Sequence, residues 1–108
     1  MKTLKFAHNL VEKVLDGSKT VTWRLFDDKD LSVGDRLQCS TSDTGNGFAE
    51  AEIVAVQEKK LGEIEGADFV GHEKYADQEE MLETYRGYYG DSVDRDTVVK
   101  IIEFKLLN

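Results

Sequence analysis

Asp16-Gly17-Ser18-Lys19-Thr20-Val21-Thr22-Trp23-Arg24-Leu25 is the stretch on which the fold turns. A helical pattern ends at Gly17, and within two residues a pattern of period two begins. From Thr20 onward, Thr20, Thr22 and Arg24 share one face of a strand, while Val21, Trp23 and Leu25 share the other. The second face is apolar and belongs to a core. The first carries two hydroxyls and a guanidinium, with Lys19 at the lip where the strand leaves the turn. Chemistry is expected at this junction.

Upstream, Leu4 and Phe6 alternate with Thr3 and Lys5, which predicts a first strand over 3–7. Asn9, with Glu12 three residues on, has the spacing of a capping box opening a short helix, and Leu10, Val11, Val14 and Leu15 form its apolar stripe. A helix of barely two turns does not stand alone in water, so that stripe must pack on the sheet. Downstream, the acidic segment 26–30 reads as a loop and 31–35 as a tight turn into a strand over 36–40. A polar connection over 41–47 leads to a strand over 48–58. Its apolar phase shifts from Ala49, Ala51 and Ile53 to Val54 and Val56, through either a bulge or coverage of both faces. The segment 61–75 is a loop containing Gly62, Gly66 and Gly71.

Asp77, followed by Glu80, marks the start of a second helix running to about Tyr89, with Met81, Leu82, Tyr85 and Tyr89 on its buried side. In the last strand, over 97–107, Ile102, Phe104 and Leu106 share one face while Val99 and Ile101 face the other way. Burial on both sides is expected near its start. About five to six strands and two helices predict an α+β domain, a small mixed β-barrel with flanking helices.

The 108 residues suffice for one domain that buries roughly 60 to 70 % of its unfolded surface. Apolar residues at 40 % and charged residues at 33 % describe a globular chain rather than a disordered one. No apolar run approaches the roughly 20 residues needed to cross a bilayer, and Met1-Lys2-Thr3-Leu4-Lys5 has no signal-peptide core, so a cytoplasmic protein without membrane contact is expected. The single cysteine, Cys39, excludes an internal disulfide and is read as a small buried hydrophobe; His8 and His72 lack zinc-type spacing. Neither metal nor cofactor is expected. Fourteen basic against 22 acidic residues give a net charge of −8, so the surface as a whole repels polyanions. DNA is not expected as a partner, RNA would be held only through a local patch, and a small molecule bound by a monomer suits the balance better.

Gly17-Ser18-Lys19-Thr20-Val21-Thr22-Trp23-Arg24 resembles the signature of the activating signal cointegrator homology (ASCH) domain, Gly-x-Lys-x-x-Glu-x-Arg. Val33-Gly34-Asp35-Arg36-Leu37, Gly71-His72-Glu73, the helix with Tyr85 and Tyr89, and Ile101-Ile102-Glu103-Phe104 extend the likeness along nearly the whole chain. The resemblance implies a PUA-like β-barrel with a cleft lined by the signature residues, and recognition of RNA or a nucleoside. Thr22 stands where the general pattern has glutamate, as it does in the small bacterial N4-acetylcytidine amidohydrolases of this family. Likeness to those enzymes implies that Lys19, Thr22 and Glu73 act together, Glu73 matching across a one-residue gap.

Hydrolysing an amide takes an activated nucleophile, a group that moves its proton and a donor for the developing oxyanion. Lys19 and Thr22 lie close enough in sequence to face one pocket. Burial would lower the lysine pKa from its reference near ~10.4, and a neighbouring Glu73 would raise it. Two assignments stay open: a desolvated Lys19 takes the proton from Thr22, or a cationic Lys19 polarises the carbonyl while Glu73 moves protons. Arg24, with Thr20 beside it, would bind a carbonyl or phosphate oxygen of the ligand. The competing reading is a non-catalytic module for RNA or a modified nucleotide.

Overall fold

The computed structural model describes residues 1–107. In chain order the elements are β1 (Lys2–Phe6), a 3-10 turn at His8–Leu10, α1 (Val11–Leu15), β2 (Val21–Leu25), β3 (Arg36–Thr41), β4 (Gly47–Lys60), 3-10 turns at Leu61–Glu63 and Gly66–Phe69, α2 (Gln78–Tyr89) and β5 (Val98–Leu107). The strands form one sheet in the order β1-β3-β4-β5-β2, parallel only between β1 and β3. The fold is α+β, with five strands curled into a half-barrel. β1 and β2 are the two edges of the sheet, and a seam lies between them.

β5 explains why one sheet serves two cores. Ile102 and Phe104 point into the curl with Leu4, Phe6, Leu37, Cys39, Ala51 and Ile53. Val99 and Ile101 point outward, where α2 covers them with Met81, Leu82 and Tyr85, alongside Val21, Trp23 and Leu25 of β2. Each fully buried aliphatic or aromatic side chain contributes roughly 1.5–3 kcal/mol, so neither cluster is dispensable. Both faces of the final strand are therefore apolar where its sequence shows them so.

The phase change in β4 is a bulge. Ile53 pairs with Phe104 and Ala55 with Glu103, which leaves Val54 as the extra residue, 37 % exposed, while Val56 packs against the inner core. A second register shift lies where Cys39 pairs with Ala49 and Ser40 with Gly47. Bulges bend and twist a strand, and these two help curl the sheet.

Two helix starts behave differently. Asp77 caps α2 as expected, its Oδ1 accepting the Glu80 backbone N–H at 2.8 Å. Asn9 does not cap α1. The chain first tightens into the 3-10 turn, closed by the Leu10 N–H on the Ala7 carbonyl at 2.9 Å, and the helix proper begins only at Val11 with no side-chain cap. Of the expected stripe only Val14 is buried; Leu15 is 50 % exposed. Among the described residues no helix is long and apolar enough to cross a membrane.

Candidate active site at the open seam

Lys19 reaches the seam because α1 ends in a reversal. Gly17 takes a left-handed φ of +85°, and the Lys19 backbone N–H returns to the Lys13 carbonyl at 2.9 Å. The loop bearing Glu73 is tied to the same place. The Gly71 carbonyl accepts the backbone N–H groups of both Thr20, at 3.0 Å, and Val21, at 3.1 Å. Gly71 itself sits at φ +78°, and a Cβ there would overlap Thr20 Oγ1. A glycine is needed for both reasons. This tether joins sequence-distant residues into one site.

Lys19 is 4 % exposed. Its Nζ donates to the Val21 carbonyl at 2.8 Å and to Glu73 Oε2 at 2.6 Å. Burial pushes the Lys19 pKa down, opposed by the hydrogen bond and charge of Glu73, and the net direction is down. Burial pushes Glu73 the other way, but the hydrogen bond and charge of Lys19 outweigh it and hold the carboxyl below its ordinary range. The contact at rest is thus an ammonium on a carboxylate, with an amine that burial makes more acidic than usual.

Thr22 and Arg24 face the same space, as the alternation along β2 requires. Thr22 is 4 % exposed, and its Oγ1 accepts a hydrogen bond from Arg24 Nε at 3.1 Å. Arg24 Nη2 donates across the seam to the Lys5 carbonyl at 2.9 Å, and the guanidinium lies 5.0 Å above the Phe6 ring. Lys19, Thr22, Arg24 and Glu73 all line one cavity of about 280 Å³. Thr20 does not line it: β2 begins only at Val21, and the Gly71 loop covers the Thr20 hydroxyl.

Other residues that line the cavity carry little functional signal in the sequence. His72 stacks on Trp23 with ring centroids 4.0 Å apart and planes 14° apart. Its Nδ1 lies 2.8 Å from the Glu73 carbonyl, which can only accept, so Nδ1 carries the proton and Nε2 faces the Tyr85 hydroxyl at 3.4 Å. Burial, and then the charge of Lys19, push the His72 pKa down to about 4, so the ring is neutral at pH 7. It props the backbone of Glu73 rather than competing for Lys19. Its place directly before Glu73 in a glycine-rich loop was the only available signal. Lys5 and Tyr88, both exposed, also line the cavity, and nothing in their sequence context marked them. Cys39 is fully buried in the inner core, its thiol pushed up to about 11 by burial, as expected of a packing cysteine.

The fold has solved counterparts. An ASCH domain from Lactobacillus crispatus superposes with a TM-score of 0.72 at 15 % identity, over 97 % of this chain and 79 % of that one. This chain has the ASCH-domain fold. A protein from Enterococcus faecalis V583 superposes with a TM-score of 0.79 at 14 % identity, over 98 % of this chain and 79 % of that one. An ASCH protein from Zymomonas mobilis gives 0.68 at 10 % identity, over 95 % and 65 %. No protein-family model matches the sequence, and no curated protein does. At these identities the ASCH likeness is one of fold, so function must be argued from the seam itself.

Proposed function

We propose that the chain hydrolyses an N-acylated pyrimidine nucleoside, such as N4-acetylcytidine, in the cavity at the seam. The observation that carries this is the 2.6 Å contact between buried Lys19 and Glu73, opening on the same cavity as Thr22. The arrangement has the logic of a nucleophile, a base and a group that orients the base. Of the two assignments for Lys19, the geometry favours the amine as base. A neutral amine has two N–H groups, and Val21 O and Glu73 Oε2 are two acceptors for them. Its lone pair is then free for the Thr22 proton.

In the reacting form, Thr22 Oγ1 attacks the acyl carbon while its proton passes to Lys19. The ammonium so formed is stabilised by Glu73 and is the positive charge beside the oxyanion. Arg24 holds the Thr22 hydroxyl in place through Nε. Collapse breaks the C–N bond, Lys19 returns the proton to the departing exocyclic amine, and the acyl group stays on Thr22. Water then attacks the ester, gives a proton to Lys19 and releases the carboxylic acid, restoring the Thr22 hydroxyl. The sum is amide plus water to amine plus acid. On this proposal the protein works in the cytoplasm as a monomer without a cofactor.

The test is conversion of N4-acetylcytidine to cytidine, followed chromatographically. Wild type turns over, and Lys19→Met, which keeps the stem, loses at least ~100-fold in rate. A folded Lys19→Met variant with undiminished turnover would overturn the proposal. A second reading is a non-catalytic module for RNA or a modified nucleotide, favoured by the exposed Lys5 and Tyr88 at the cavity. It expects salt-sensitive binding with no turnover.

A further inference from the structure

The cavity lining has a charge balance opposite to that of the chain. Lys5, Lys19 and Arg24 face it against the single carboxylate of Glu73, in a protein whose net charge is −8. Lys19 and Glu73 satisfy each other, which leaves Arg24 and Lys5. A guanidinium has five N–H donors. Thr22 Oγ1 and the Lys5 carbonyl take two of Arg24's, and among the described residues no carboxylate pairs with it and Lys5 Nζ has no hydrogen-bond or ion-pair partner. Arg24 is nonetheless held still, by those two bonds and by the Phe6 ring beneath it. A fixed, half-buried cation with free donors beside a second free cation is a built anion site, and preorganisation means that little ordering is lost on binding.

The surroundings narrow the anion. A second cavity of about 360 Å³ shares Lys5, Arg24 and Tyr89 with the first and adds Lys29 and the exposed ring of Phe26, together with Asp27, which is paired with Lys100, and Asp28. Arg24 thus stands at a junction, with the reacting pair on one side and open space with an aromatic wall on the other. Phe26 sits at a left-handed φ of +52° and meets Tyr89 edge to face at 6.0 Å. A non-glycine residue rarely holds such a φ, and residues held there cluster at ligand-binding positions.

We infer that the ligand of this site carries a phosphate on the nucleoside, bound by Arg24 with Lys5 at the junction of the two cavities. This rests on the nucleoside reading of the seam and sharpens it from nucleoside to nucleotide. The phosphate is either a terminal 5′-monophosphate or a phosphodiester whose far side enters the second cavity.

Calorimetric binding separates this from the question of turnover. The probes are cytidine, cytidine 5′-monophosphate, and the dinucleotide in which adenosine is joined to the cytidine 5′-phosphate. The monophosphate, the dinucleotide or both should bind at least ~10-fold tighter than cytidine, the gain of charge-assisted hydrogen bonds. That gain should shrink between 50 and 500 mM salt, and largely vanish in Arg24→Gln and in Lys5→Gln. Tighter dinucleotide binding assigns a phosphodiester, and tighter monophosphate binding a terminal phosphate. Should Arg24→Gln not fold, Lys5→Gln, at an exposed position, carries the test. Equal or weaker binding of both phosphorylated probes overturns the inference, as does a preference that survives in a folded variant. Absence of hydrolysis, with the phosphate preference intact, would remove the amidohydrolase proposal and leave the phosphate site standing.

Discussion

Replacing Glu73 by glutamine keeps the side chain's shape and removes the charge that meets Lys19 Nζ at 2.6 Å. Lys19 is 4 % exposed, so water replaces the lost carboxylate only poorly. Removing one partner from a buried pair costs ~3–5 kcal/mol. Glu73 is itself 26 % exposed, so solvent already screens its outer side and the low end, about 3 kcal/mol, applies. For a domain of this size, 1 kcal/mol moves Tm by roughly 4 °C, so Glu73→Gln should melt about 12 °C below wild type. Lys19→Met removes the stranded charge and keeps most of the buried stem. The double variant should therefore be more stable than Glu73→Gln alone, with a coupling of at least ~2 kcal/mol. Thermal and urea unfolding followed by circular dichroism, at pH 7 and at two salt concentrations, measures all four corners of the cycle. Because the pair is shielded, the coupling should change little with salt. Additivity of the two single changes, or a Glu73→Gln midpoint within ~2 °C of wild type, would refute the claim that these residues form one buried electrostatic unit.

Acid should unfold the protein earlier than its net charge suggests, because His72 stays neutral down to about pH 4 when folded while the unfolded imidazole protonates near 6.5. In that window the unfolded chain binds more protons, so stability is full above 6.5 and falls by up to ~3 kcal/mol as pH drops toward 4. Glu73, whose carboxyl is held low, adds its own loss further down as it protonates. Urea midpoints that do not move between pH 7 and 4.5, or a His72→Phe variant with the same pH slope as wild type, would contradict this. Thr22→Val should abolish amide hydrolysis with a change of only ~1 kcal/mol in stability, while Thr22→Ser keeps measurable turnover. Turnover by the valine variant would exclude Thr22 as nucleophile. Gly71→Ala forces a left-handed φ and a clash with Thr20 Oγ1, so it should cost more than ~1 kcal/mol and lower activity by displacing Glu73. A variant with wild-type midpoint and rate would show that the tether does not position the site.

Much of this was legible from periodicity. The two faces of β5 and the apolar face of β2 are written in alternation, and the two cores fall where that alternation divides them. The bulge at Val54 was visible only as a phase change, because sequence does not show which strand registers against which. Asn9 misled because capping-box spacing is local, while the start of α1 is set by how the chain leaves β1 and tightens at His8–Leu10. Lys19, Thr22 and Arg24 could be read from one turn-to-strand stretch. That Glu73 belongs with them depends on the Gly71 carbonyl docking on Thr20 and Val21, a long-range backbone contact with no local signature. Thr20 shares the alternation of Thr22 but is covered by that same docking, so a face inferred from period two says nothing about what lies over it.

The seam ties the site to the fold more closely than a pocket on a finished barrel would. An edge strand leaves backbone acceptors without strand partners. Just before β2, the Thr20 carbonyl is taken by the Phe104 N–H of β5, whereas the Val21 carbonyl, the first of β2, accepts from Lys19 Nζ. On β1, the Lys5 carbonyl accepts from Arg24 Nη2. Two of the three cations proposed to act on the ligand, Lys19 and Arg24, are thus the same groups that satisfy the two edges, where a further pair of strand hydrogen bonds would otherwise be needed. A substitution that removes either cation must therefore disturb folding and chemistry together, and loss of activity alone is weak evidence for a catalytic role. Arginine at position 19 would still offer N–H donors to Val21 O and Glu73 but would have no lone pair at neutral pH. Lys19→Arg should accordingly keep more stability than Lys19→Met and recover none of the turnover, the pattern that separates a base from a strut.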